Sequence, residues 1–66
     1  MRIIVDGLPE EVAEGITLAR LIAERGEDSI ELIAEINHRY VHPRDYESTV
    51  IRGNDRVELI QAAFGG

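Results

Sequence analysis

Thr17-Leu18-Ala19-Arg20-Leu21-Ile22-Ala23-Glu24-Arg25-Gly26 is the stretch that sets the class of this chain. Leu18, Leu21, Ile22 and Arg25 recur at spacings of three and four, which stacks them on one helix face. Thr17 is placed to accept a backbone N–H as N-cap, and Gly26 sits where a left-handed residue closes a helix. A helix of roughly two turns does not persist in isolation. It needs a partner surface, and the flanking segments supply one in the form of strands.

Toward the N-terminus, Arg2-Ile3-Ile4-Val5 is short and rich in β-branched residues, and Asp6-Gly7 suits a tight turn. Leu8-Pro9 extends that turn in this reading. Glu10 to Ala13 returns as the antiparallel partner, with Val12 opposite the first strand, and Gly15 breaks it. Toward the C-terminus, Leu32 to Ile36 is a second β-rich run, with Ala34 and Ile36 on one face and Ile33 on the other. Asn37-His38-Arg39 reads as a turn, Tyr40-Val41 as a short returning strand, and Pro43 as the first position of a helical turn through Tyr46. Val50-Ile51 precede the turn formers Gly53-Asn54-Asp55. Arg56-Val57-Glu58-Leu59-Ile60-Gln61 alternates polar and apolar as a half-buried strand does. The order, written ββαββ, implies an α+β domain with one main helix on a mixed sheet, and the β-grasp arrangement fits it. Where the last strand lies in that sheet is left open.

Composition restricts function. Sixty-six residues make a single domain (1–66), close to the lower limit for a core without staples. There is no cysteine, which excludes a disulfide framework, a thiolate metal site and a cysteine nucleophile. The net charge is −6, from thirteen acids against seven arginines and no lysine. This charge lacks the positive footprint that nucleic acid requires. It reads first as solubility, with steering toward a basic docking surface as the sharper alternative. No apolar run approaches membrane-spanning length, and the N-terminal run stops at Asp6, too early for a signal-peptide core, so the expected compartment is the cytoplasm.

No enzyme active site is legible. His38 and His42 are four apart, a zinc spacing on a helix, but Asn37, Arg39 and Pro43 put them in a loop. They read as surface histidines, and no metal site is expected. The carboxylates Glu10, Glu11, Glu14, Glu24, Glu27, Asp28, Glu31 and Glu35 are dispersed, in keeping with a solvated surface. Ser29, Ser48 and Thr49 lack a neighbouring base and read as cap or turn residues. No phosphate-binding glycine loop is present, so the chain itself holds no nucleotide. Tyr40 and Tyr46 read as edge-of-core residues with their hydroxyls in water.

The remaining feature is the end of the chain, Phe64-Gly65-Gly66, on an extended flexible tail over about 62–66. Two residues without Cβ make a thin backbone that can thread a narrow channel. The bland readings are a frayed terminus or a cloning scar, and a chain that starts at Met1 without a tag-like segment speaks against the scar. The group to consider is therefore the Gly66 carboxylate. Phe64 either folds back on the body or anchors the tail in a partner's groove.

Several segments together resemble one family. Ile36-Asn37-His38-Arg39-Tyr40-Val41-His42-Pro43-Arg44 resembles the V-N-x-x-x-V-P-R segment of ThiS-type sulfur carrier proteins. Thr49 to Leu59 is similar to their T-x-L-x-x-G-D-x-I-E-I, and Thr17-Leu18 with Leu21-Ile22 to their T-V-x-x-L-L. The likeness covers essentially the whole chain and ends on Gly65-Gly66. Asn54 departs from the usual glycine, but Asn also tolerates a left-handed turn; His42 is an insertion before Pro43.

The resemblance implies a β-grasp, ubiquitin-like carrier and not an enzyme. In it, a ThiF-type (E1-like) activating enzyme uses ATP and Mg²⁺ to adenylate the terminal glycine, here Gly66. A sulfur donor then converts the adenylate to a thiocarboxylate, and a ThiG-type thiazole synthase takes the sulfur for the thiazole ring of thiamine. By the same resemblance Gly65 lets the tail thread and Phe64 seats it, while the chain binds no cofactor itself. The rivals are the molybdopterin synthase small subunit, a carrier for tRNA thiolation, a ubiquitin-like modifier of lysines, and an interaction module with an inert tail. The molybdopterin carrier tends to be longer, with prolines before its glycines, whereas this chain approaches them through Gln61-Ala62-Ala63-Phe64.

Overall fold

The computed structural model describes residues 1–26 and 31–61. Asp6 and Gly7 both take positive φ, 49° and 84°, giving a two-residue turn whose twist matches antiparallel strands. It joins β1 (Arg2–Val5) to β2 (Leu8–Glu11), in the register Val5↔Leu8, Ile4↔Pro9, Ile3↔Glu10 and Arg2↔Glu11. The return strand thus begins at Leu8, two residues before the position expected from sequence, because Asp6-Gly7 completes the turn alone. Pro9 is tolerated because β2 is an edge strand. Val12 accordingly lies past the strand, opposite Met1: its amide donates to the Met1 carbonyl (2.8 Å), and the Met1 amino group donates to the Val12 carbonyl (2.7 Å).

Helix α1 (Leu18–Glu24) is only seven residues long, and every orphan donor of its first turn is accounted for. The Leu18 amide donates to the Thr49 carbonyl and the Ala19 amide to that of Tyr46. The Arg20 amide donates to Thr17 Oγ1 and the Leu21 amide to the Thr17 carbonyl. At the other end Gly26, at φ 72°, donates to the Ala23 carbonyl, the left-handed closure expected of it. Arg25 then ties the helix end to the hairpin through Glu10 (3.0 Å).

β3 (Leu32–Ile36) and β4 (Arg39–Val41) form a second hairpin around Asn37 and His38, again a pair of positive-φ residues (52° and 67°). Arg39 therefore belongs to the strand and not to the turn. Pro43–Asp45 is a 3₁₀ turn with proline near its start, and β5 (Arg56–Gln61) follows a left-handed Asn54 (φ 68°). The Ser48 and Thr49 hydroxyls both donate to the Asp45 carbonyl, so they serve the turn as expected.

The five strands are ordered β2-β1-β5-β3-β4, two preceding the helix and three following it. β5 is central: parallel to β1 through Ile4↔Arg56 and Val5↔Val57, antiparallel to β3 from Leu32↔Gln61 to Ile36↔Val57. One face of this mixed sheet carries Ile3, Val5, Ala34, Val57 and Leu59, which pack with Leu18, Leu21 and Ile22 of the helix and with Ile16 and Ile51 of the connections. The α+β, β-grasp architecture is the one expected, but the order is ββαβββ and not ββαββ: β4 (Arg39–Val41), short as it is, pairs with β3 as a strand of its own and makes three strands after the helix. Leu21 is 2 % exposed and Ile33, on the other sheet face, 39 %. Leu21→Ala is expected to cost about 2–5 kcal/mol of unfolding free energy. Ile33→Ala should cost far less, and urea denaturation of both variants provides the check.

Candidate functional site

Phe64, Gly65 and Gly66 lie outside the described residues, as do Ala62 and Ala63 of the tail and Glu27, Asp28 and Ser29. What the structure describes is the base from which the tail departs. β5 is held along its length and paired as far as Gln61, opposite Leu32.

Its start is clamped by residues from three places. Asp55 Oδ2 accepts from the Arg52 amide (2.8 Å), closing the Arg52-Gly53-Asn54-Asp55 turn. Asp55 Oδ1 accepts from Asn37 Nδ2 (3.1 Å), and Asn37 Oδ1 accepts from the Arg56 amide (2.9 Å). The Asn37 amide adds a bond to the Arg56 carbonyl (2.7 Å). From the other side, β1 takes the Asn54 amide on the Arg2 carbonyl and gives the Ile4 amide to the Asp55 carbonyl. The β3–β4 turn and the turn before β5 are thus locked together.

The middle of β5 is secured by Asp6. The backbone ladder between β1 and β5 stops once the Asp6 amide has reached the Val57 carbonyl (2.9 Å). Asp6 Oδ1 then accepts from the Leu59 amide (2.9 Å), so a side chain extends the ladder by one more bond. The sequence reading treated Asp6 as a turn former only. Its second role leaves no local signal, because its partner lies 53 residues away.

The sheet face turned away from the helix is where β5 presents its other side chains. Ile60 stands directly across from Ile33, both exposed, and Glu58 directly across from Glu35, which in turn faces Tyr40 on β4. His38 Nδ1 reaches Glu58 Oε1 at 3.5 Å, while the His42 ring meets the Tyr40 ring edge-on at 4.8 Å between centroids. The two histidines are therefore surface residues with different neighbours. Tyr40 is exposed, but Tyr46 is half-buried against the core and its hydroxyl donates to the Leu32 carbonyl (3.4 Å), not to water alone. Burial, and secondarily the Tyr40 phenol, push the Tyr46 phenol above its ordinary pKa. A depression on this face, lined by Ile4, Asp6, Gly7, Arg56, Val57 and Glu58, is half open to solvent and is not the closed, desolvated chamber that acid–base chemistry calls for. Among the described residues, no helix is long and apolar enough to cross a membrane.

Residues 2–66 of the chain match the ThiS family. A crystal structure of the thiamine biosynthesis protein ThiS from Geobacter metallireducens superposes with a TM-score of 0.86 at 25 % identity, covering the whole of both chains. A solution structure of a thiamine biosynthesis protein from the same organism gives 0.77 at 22 % identity, over the whole of this chain and 88 % of that one, and attests the fold. No curated protein matches the sequence.

Asp6→Ala should leave the half-buried Leu59 amide without its acceptor, lowering stability by about 1–3 kcal/mol and accelerating hydrogen exchange at Leu59. Asp6→Asn keeps both an acceptor and tolerance of positive φ, so it should stay close to the parent. Equal losses in the two variants would remove this hydrogen bond from the account. For Tyr46, a raised folded-state pKa means that its contribution is fully present below the ordinary value of about 10 and is lost as pH rises through the raised value. Urea midpoints at about pH 8 and about pH 11 should therefore diverge less in Tyr46→Phe than in the parent.

Proposed function

The chain belongs to the ThiS family, and from that premise we propose that it is the sulfur carrier of thiamine biosynthesis, with the Gly66 carboxylate as its reacting group. The observation that carries this reading is the family match running through residue 66, onto the terminal Gly65-Gly66. The placement of β5 in the middle of the sheet supports it, since a central, doubly paired strand is a rigid base for a reactive end.

The chemistry asked of the protein is small. A carboxylate is a poor electrophile, and the negative oxygen must first be given a leaving group. An activating enzyme would supply this from ATP with Mg²⁺: a Gly66 oxygen attacks the α-phosphorus and pyrophosphate leaves. Sulfide-level sulfur released by a donor then attacks the acyl carbon, forming the C–S bond as the C–O bond to AMP breaks, and loss of its proton leaves a thiocarboxylate. Thiazole synthase would receive that sulfur. In this scheme the chain is a substrate and not a catalyst. Gly65 offers no side chain to block a narrow channel, and Phe64 supplies an apolar anchor for the tail. The absence of lysine removes any side-chain amine that the activated acyl group could acylate within the same chain. The expected setting is the cytoplasm, where ATP is at hand.

Mass spectrometry of the protein from its native host separates this reading from its rivals. A gain equal to the replacement of one oxygen by sulfur at the C-terminus supports the carrier. Conjugates on target lysines would mean a modifier, and an unmodified chain beside an active activating enzyme would sink both. Incubation with thiazole synthase against the molybdopterin synthase large subunit then assigns the pathway. Deleting Gly66 should abolish adenylation while leaving the thermal midpoint unchanged.

A further inference from the structure

The open sheet face holds one constellation that sulfur carriage does not use. Glu35 on β3 and Glu58 on β5 are direct cross-strand partners, and His38 projects from the adjoining turn. Ligating atoms of all three lie within 4.8 Å of one another. Two carboxylates directly opposite on antiparallel strands repel. Elsewhere the arginines answer such charges: Arg2 pairs with Glu11, Arg20 with Glu24, and Arg25 with Glu10 and Asp6. Among the described residues no arginine forms an ion pair with Glu35 or Glu58, and His38 is the one cationic or ligating group that reaches them. A pair of facing carboxylates with an imidazole nitrogen beside them is short of positive charge at a defined point.

We propose that Glu35, His38 and Glu58 bind a divalent transition-metal ion of the zinc class. An ion of charge +2 cancels the two carboxylates, and one imidazole with two carboxylates is a donor set of borderline hardness. It suits zinc or cobalt better than calcium or magnesium, which favour oxygen alone. Metal–donor bonds of about 2.0–2.2 Å require the donors to draw somewhat closer than they stand. The movement falls on side chains free to make it: His38 is 74 % exposed and Glu58 39 %. The backbone beneath stays fixed by the β3–β5 ladder. Three protein donors on an open face leave the outward coordination positions to water or to a donor from another molecule. By sequence spacing the only pair to consider is His38 with His42, and their loop setting speaks against a metal there. Strand register replaces His42 by Glu58, 20 residues away from His38, which no local spacing can reveal.

The test titrates the full chain with Zn²⁺ by calorimetry and with Co²⁺ by visible absorbance, following backbone amide shifts in parallel. We expect one ion per chain, shifts centred on Glu35, His38 and Glu58, and little response to Ca²⁺. Glu58→Gln and His38→Asn each remove a ligand and should weaken Zn²⁺ binding by at least roughly 10–100-fold, the loss that follows when only a group supporting a ligand is removed. Asn tolerates the positive φ of position 38, and the amide spectrum reports whether each variant is folded. His42→Ala should bind as the parent does. The proposal is overturned by absence of binding, by affinity unchanged in folded Glu58→Gln and His38→Asn, by loss in His42→Ala alone, or by Ca²⁺ binding as tightly as Zn²⁺. The last result would mark a diffuse acidic surface. None of these readouts depends on the state of Gly66, so the outcome is independent of the carrier reading.

Discussion

The parallel contact between β1 and β5 is the constraint on which the rest of this small domain depends. It consists of two registered pairs, Ile4↔Arg56 and Val5↔Val57, yet it joins the first strand to the last and so closes the sheet around β5. A parallel pair cannot be made by a hairpin, because the chain must cross from one end of the sheet to the other. Here the helix lies within that crossing, and it is held against the sheet by the same inward-facing residues, Val5 and Val57, that the contact brings together. Two pairs make a short ladder, and the Asp6 carboxylate lengthens it through the Leu59 amide. The small backbone overlap is thus supported on one side by apolar packing and on the other by a side-chain acceptor.

A helix of seven residues survives for a related reason. Its own hydrogen bonds are too few to repay nucleation. The carbonyls of Tyr46 and Thr49 take up two donors of its first turn, and the Thr17↔Val50 bridge holds the segment that bears them. The loop after the 3₁₀ turn is therefore a plug for the helix N-terminus as well as a connection. Leu18, Leu21 and Ile22 supply the apolar side of the same bargain between helix and sheet.

Much of the fold was legible, and the misses are of one kind. Alternation over Arg56–Gln61, the three-and-four spacing from Leu18, and the caps Thr17 and Gly26 all report local geometry, and the structure has them at those residues. The return strand of the first hairpin starts two residues before its sequence position suggests, because Pro9, a turn former by type, is acceptable in β2 on the edge of the sheet. Tyr46 is the edge-of-core residue its type suggests, but its hydroxyl donates to the carbonyl of Leu32, 14 residues earlier, where the sequence leaves it in water. Of the proposed site, Gly65 and Gly66 are visible as residue types alone. The clamp built from Asn37 and Asp55 was visible only as two turn signals with no link between them.

The division follows from the range of the interactions. Residue type and periodicity act over one turn or one strand, so the linear chain is enough to specify where the helix starts and stops, which faces are apolar, and that two side-chain-free residues follow Phe64. Which strand lies next to which is settled by contacts between residues tens of positions apart, whose energies are realised only when the sheet closes. The central place of β5, the carboxylate of Asp6 on the Leu59 amide, and the facing of Glu35 and Glu58 beside His38 all belong to that second class. They exist because register, once set by apolar burial on one face, dictates without further choice which side chains must meet on the other.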